Sequence, residues 1–168
     1  MASRAIGGTA FEEREAGIVP ETGLAPAALV IGAEPANEAF LRAIFQRREW
    51  DLYAVGTLGA ALTLLRLVYI PVVLTEARLP AGGWKDVLEQ VRDLPFPPSL
   101  VVTSRLADEH LWAEVLNWGG HDVLAQPLRQ SEVVWVLSHA WRARGIETGA
   151  ERRLIRGTAG PGSFSEQF

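Results

Sequence analysis

Residues 100–128 read LVVTSRLADEHLWAEVLNWGGHDVLAQPL. Leu100–Ser104 is a continuous apolar, β-prone run with no polar alternation until its end. Leu111, Trp112, Val115 and Leu116 then recur on one helical face, and Gly119-Gly120 are placed to end that helix. Asp122–Ala125, DVLA, is a second β-prone run. Strand, helix and strand follow one another within 29 residues, the spacing of a right-handed crossover between parallel strands.

The same rhythm extends upstream and downstream. AALVIG (27–32) is followed by EPANEAFLRAIFQRRE (34–49), where Phe40, Leu41, Ile44 and Phe45 share a face, Pro35 suits a first helical turn and Glu34 sits near the N-cap. WDLYAV (50–55) precedes LGAALTLLRLV (58–68), with Thr57 as its cap. IPVVLT (70–75) leads through the turn LPAGG (79–83) to a helix striped by Trp84, Val87, Leu88 and Val91. PFPPS (95–99) separates that helix from Leu100. After Ala125, Ser131 is the expected cap of a helix bearing Val134, Leu137 and Trp141. Five strand–helix units with nearly unalternating strands predict a parallel sheet covered on both faces. Ligand sites of such sheets lie beyond the carboxyl ends of the strands. Here those ends are Gly32-Ala33-Glu34, Thr75-Glu76, Thr103-Ser104 and Gln126-Pro127.

Bulk properties narrow the function. The chain has 168 residues, is 48% apolar and carries a formal net charge of -4, which fits one folded domain. No dense basic cluster exists, so nucleic acid is not an expected partner. There is no cysteine, which removes disulfides and thiolate metal sites. No apolar run is long enough to cross a bilayer, and MASRAIGGTAFEEREAG lacks the apolar core of a signal peptide. The expectation is a cytoplasmic protein with no membrane contact. Residues 1–26 and 145–168, rich in Gly, Glu, Thr and Pro, are expected to be a flexible N-terminal arm and a flexible C-terminal tail around a domain at 27–144.

LVIGAEPANEAFL, VVLTEARLPAGGW and the stretch at 100–128 together resemble the receiver domain of bacterial two-component response regulators, over about Ala28 to Arg142. The resemblance implies a flavodoxin-like (βα)5 doubly wound α/β fold with strand order 2-1-3-4-5. It also implies where the site residues fall. A receiver's paired acids correspond to Gly32 and Ala33, its phosphate-accepting aspartate to Glu76 and its lysine to Gln126. The switch hydroxyl corresponds to Thr103 and the switch aromatic to Val123. Only Thr103 and Pro127 keep the family's chemistry. Magnesium in phosphoryl-transfer sites needs carboxylates, and the transferred group needs cationic stabilisation. Gly32, Ala33 and Gln126 supply neither, so no metal, cofactor or enzymatic activity is expected.

Three readings of Glu76 stand open: a solvated loop acid, a fixed charge in place of a phosphorylated aspartate, or a surviving acceptor or cation ligand acting with Glu34. The Thr103 hydroxyl is its candidate donor, or bonds local backbone instead, and Arg105 is the candidate counter-charge. His110, His121 and His139 lack metal-site spacing, and the glycines at 82–83 lack that of a phosphate loop. Trp84, Trp112 and Trp141 are expected in the core, Trp118 is ambiguous, and Trp135 points away from Leu137 and Trp141. Trp135 and Trp118 are the candidate interface residues, because exposed tryptophan anchors binding surfaces. The function implied is a stand-alone pseudo-receiver that docks on a histidine kinase, another regulator or a second copy. No output domain is expected after Arg144. The alternatives are a receiver that still accepts phosphate through Glu76 and Glu34 and, more remotely, a small flavodoxin-like enzyme or nucleotide binder.

Overall fold

The computed structural model describes residues 26–146; the expected arm before Pro26 and most of the expected tail lie outside them. Five strands pair in parallel: β1 (Ala27–Ile31), β2 (Asp51–Val55), β3 (Val72–Glu76), β4 (Ser99–Ser104) and β5 (Asp122–Ala125), in the order β2-β1-β3-β4-β5. Ala28 lies opposite Leu52 on one side and Val72 on the other, while Glu76 lies opposite Thr103. The helices are α1 (Pro35–Arg48), α2 (Leu58–Leu67), α3 (Trp84–Arg92), α4 (Glu109–Asn117) and α5 (Gln130–Arg142). This is the expected flavodoxin-like doubly wound arrangement.

The unalternating strands explain themselves in the packing. All of β1 is buried, with Ala28, Val30, Val72 and Leu74 facing α1 and α5 and Leu29, Ile31 and Val73 facing α2, α3 and α4. A strand buried on both faces has no place for a polar row. On the first face Phe45, Trp50 and Trp141 meet edge to face, with ring centroids 4.6 to 6.1 Å apart. The Trp141 indole donates to the Ala27 carbonyl at 2.8 Å, which satisfies its one polar atom inside the core. On the second face the stripe Trp84, Val87, Leu88 and Val91 is buried as its spacing predicts.

The local signals at helix ends meet mixed outcomes. Thr57 caps α2 by accepting from the Ala60 N–H at 3.2 Å. Pro35 opens α1, and Gly119, with φ at +97°, ends α4. Ser131 is not a cap: α5 starts one residue earlier, behind Arg129, with no side-chain cap bond. Trp112 is not in the core. It is 49% exposed, with its indole donating to Asp122 Oδ1 at 3.1 Å, and of the α4 stripe only Val115 is fully buried. The domain also reaches past Arg144. Gly145 turns left-handed, the Ile146 N–H returns to the Trp141 carbonyl at 2.9 Å, and the Ile146 side chain joins the first core.

Between β3 and α3 the turn is more structured than its sequence suggests. Arg78–Leu79 pairs antiparallel with Gly82–Gly83 as a two-residue ribbon. Asp86 then accepts from the Gly83 N–H at 2.8 Å at the start of α3. The ribbon lays Leu79 back across the carboxyl end of β1.

Candidate functional site

The carboxyl ends of β1, β3, β4 and β5 converge on one crevice, and its surface is built from few side chains. Gly32 leaves β1 with φ at +68°, a conformation that favours glycine. Its N–H donates to the Val55 carbonyl at 2.9 Å. A Cβ at this position would stand 2.6 Å from a Leu79 methyl, so the ribbon already fills the space where a side chain at 32 would begin. Ala33 is partly buried against the core on the α1 and α5 face. Neither position offers a polar side-chain atom.

Glu76 is the last residue of β3 and is half-buried. The Gln126 amide nitrogen lies 2.8 Å from each of its carboxylate oxygens and 3.3 Å from the Thr103 hydroxyl. Thr103 itself donates at 3.4 Å to the carbonyl of Thr75 on the neighbouring strand β3, not to local backbone. Gln126 reaches the site from the end of β5, its N–H bonded to the Ser104 carbonyl at 2.9 Å, and the Gln126–Pro127 bond is cis. Burial pushes the Glu76 carboxyl above its ordinary value. The Gln126 amide and Thr103 hydroxyl pull it back, Glu34 raises it a little, and Arg105 lowers it a little. The acid is therefore held by neutral donors.

Arg105 does not supply the expected counter-charge directly. Its guanidinium pairs with Glu34 at 2.5 Å, an exposed contact across the mouth of the crevice. Exposed pairs contribute about 0–1 kcal/mol each. Glu34 stands at the N-cap of α1 without a side-chain cap bond, so Arg105 rather than the helix end is its partner. Glu34, Asn37, Arg105, Gln126 and Pro127 line a pocket of about 280 Å³. Among the described residues no three His, Asp or Glu side chains are grouped as a metal site would group them.

Val123 lies in β5, partly buried against the second core. Trp118 is 38% exposed yet packs on Trp84 at 6.1 Å and under the Lys85 ammonium at 4.9 Å. Trp135 is 58% exposed on the outer side of α5. Two residues that shape the crevice escape the sequence reading. Leu79 gives no signal beyond its place in a turn, and Asn37 is one polar residue among many on α1.

No known family model matches the sequence, and no curated protein matches it. Solved structures do. The receiver domain of the Francisella response regulator 1452 superposes with a TM-score of 0.64 at 18% identity, covering 71% of this chain and 98% of that one. The fold is that of a receiver domain. The receiver domain of sensor histidine kinase PA1611 from Pseudomonas aeruginosa, solved with a magnesium ion coordinated in its active-site cleft, gives 0.61 at 17% identity, covering 70% and 98%. The receiver domain of the Saccharomyces cerevisiae regulator Ssk1, solved with the histidine phosphotransfer protein Ypd1, gives 0.62 at 13%, covering 69% and 88%.

Proposed function

We propose that the chain is a pseudo-receiver: a module of two-component signalling that does not take phosphate and acts by docking on protein. The observation that carries this reading is the pairing of Glu76 with Gln126. Where a receiver would hold a reactive carboxylate beside a lysine, a carboxylate accepts two hydrogen bonds from one neutral amide. A phosphoryl group developing there would find a neutral amide in place of a lysine, with the nearby Arg105 already paired to Glu34, and charge stabilisation is most of what such a site contributes.

Magnesium does not fit the residues present. Gly32 and Ala33 carry no ligating atoms, a Leu79 methyl stands against Gly32, and Glu34 is engaged by Arg105. Glu76 is a fixed acceptor for Gln126 and occupies the phosphoacceptor position. Thr103 occupies the switch-hydroxyl position, Val123 the switch-aromatic position and Gln126 the lysine position. A glutamate carries less charge and fewer acceptor oxygens than a phosphoryl group, so its mimicry of an activated state is partial. Partner contact would then fall to exposed surface such as Trp135 and Trp118. The partner class is a histidine kinase, another regulator or a second copy, in the cytoplasm.

A thermal-shift series on the full chain tests the reading. Magnesium, and magnesium with beryllofluoride, are expected to leave the melting temperature unchanged. A magnesium-dependent rise that Glu76→Gln abolishes would instead make Glu76 a working acceptor or ligand.

A further inference from the structure

Between α3 and α4, four side chains that play no part in the crevice bring charge onto aromatic faces. Trp84 and Lys85 open α3, Glu114 lies in α4, and Trp118 follows the last residue of α4. The indoles of Trp84 and Trp118 stand nearly perpendicular, at 78°, with ring centroids 6.1 Å apart. They form two walls of a corner. The Lys85 ammonium sits in it, 4.9 Å from the Trp118 centroid and 5.5 Å from that of Trp84, and pairs with the Glu114 carboxylate.

The walls are held independently of their occupant. Trp84 is buried in the second core. Arg92 Nη2, from the end of α3, donates to the Trp118 carbonyl at 2.7 Å and so fixes the backbone that carries the other indole. Lys85 is held less firmly. Its side chain is 42% exposed, and Glu114 is its one ion-pair partner among the described residues. An exposed pair of that kind contributes little, so a rotamer change takes the lysine into water at low cost. Lysine is also an imperfect occupant. Its ammonium is compact, strongly hydrated and carries three donors, which indole faces do not satisfy as oxygens would. A trimethylammonium group carries the same charge without any N–H, and it presents methyl groups to aromatic faces.

We infer that the corner of Trp84, Trp118 and Glu114 is a binding site for organic cations of the trimethylammonium class, and that Lys85 is a tethered competitor that fills it in their absence. The two indoles take the methyl groups, and Glu114 supplies the counter-charge. A site that is open only part of the time binds with an apparent affinity reduced by that fraction. Lys85 therefore sets the ligand concentration at which the corner fills. The inference goes beyond the pseudo-receiver reading and does not rest on it. Phosphate transfer to Glu76 would overturn that reading and leave this one standing.

The test is heteronuclear NMR on the isotope-labelled full chain, following the six indole N–H signals as choline is added without magnesium or phosphodonor. The Trp118 signal, assigned by its loss in Trp118→Ala, is expected to shift in the wild type at high choline. In Lys85→Ala it should shift at a concentration lower by about fivefold or more. The signals of Trp112 and Trp135, exposed outside the corner, should stay in place. Lys85→Gln, which keeps the stem without the charge, repeats the comparison with the contact area retained. The neutral isostere of choline, with tert-butyl in place of trimethylammonium, should not bind. In the Lys85→Ala background, Glu114→Gln and Trp118→Ala should each weaken binding about fivefold, the second read from the Trp84 signal. Choline and a trimethyllysine dipeptide, the free and the protein-borne source of the group, are both expected to bind, and the tighter of the two names the source. Equal binding of choline and its isostere would overturn the inference, because an apolar surface alone would then be at work. So would choline binding no tighter in Lys85→Ala and Lys85→Gln than in the wild type, since Lys85 would then be only a tie between α3 and α4.

Discussion

At the amino end of the sheet, Phe45, Trp50 and Trp141 interlock edge to face, and the one polar atom of Trp141 is spent on the Ala27 carbonyl. At the carboxyl end, Glu76, Gln126 and Thr103 share a small hydrogen-bond network, and a Leu79 methyl stands against Gly32. One end is closed by packing, the other by polar pairing around a half-buried acid. The difference predicts that the amino end carries stability independent of pH, while the carboxyl end carries a smaller share that varies with pH. Within the crevice the polar side chains satisfy one another.

The largest effect should come from the packed end. Trp141→Ala is expected to cost about 3–5 kcal/mol, read as a lower urea midpoint. A loss below about 1 kcal/mol would show that the aromatic cluster does not hold the two outer helices to the sheet. At the polar end, Gln126→Ala should cost about 1–2 kcal/mol at neutral pH, since it strips the donor from a half-buried carboxylate. The same substitution should cost less in acid, where a protonated Glu76 needs that donor less. Equal cost at both pH values would mean that the amide matters for packing alone. Gly32→Ala should cost a further sum of similar size, about 1–2 kcal/mol for the left-handed backbone, with the Leu79 contact added. Pairing it with Leu79→Ala should recover the steric part and leave the backbone part.

The smallest effect is the most diagnostic of charge. Burial holds the folded-state pKa of Glu76 above the unfolded value, so the folded state keeps its proton longer. Below the ordinary value of 4.5 both states are protonated and Glu76 costs nothing. As pH rises from there through the folded value, ionised Glu76 progressively lowers stability, and above that value the cost is constant. Glu76→Gln should therefore gain on the wild type across that window, read from paired urea titrations at stepped pH. A variant that instead loses ground as pH rises would place a cation near Glu76.

Much of the scaffold was legible because its signals are local. The five apolar runs, Pro35, Thr57 and the glycines after α4 report their own backbone state. Trp112 was misread for a reason periodicity cannot register. A repeat shows that one face of α4 is apolar, but not that α4 lies near the β5 edge, where Val115 alone is fully covered. Ile146 was missed because Gly145 reads as the start of a tail, whereas here it makes the left-handed turn that returns the chain to the core. The positions of Gly32, Glu76, Thr103 and Gln126 at the crevice followed from strand ends. Their partnerships did not, because reach across a crevice depends on side-chain direction. Arg105, two residues after Thr103, turns to Glu34, and Gln126 comes from 50 residues away to take Glu76.

The central claim is that Glu76 is an acceptor of hydrogen bonds and not of phosphate. Intact-mass measurement of the full chain after incubation with magnesium and a small-molecule phosphodonor tests it most directly. The account predicts an unchanged mass, both for wild type and for Glu76→Gln. A phosphoryl adduct on wild type that vanishes in Glu76→Gln would contradict it.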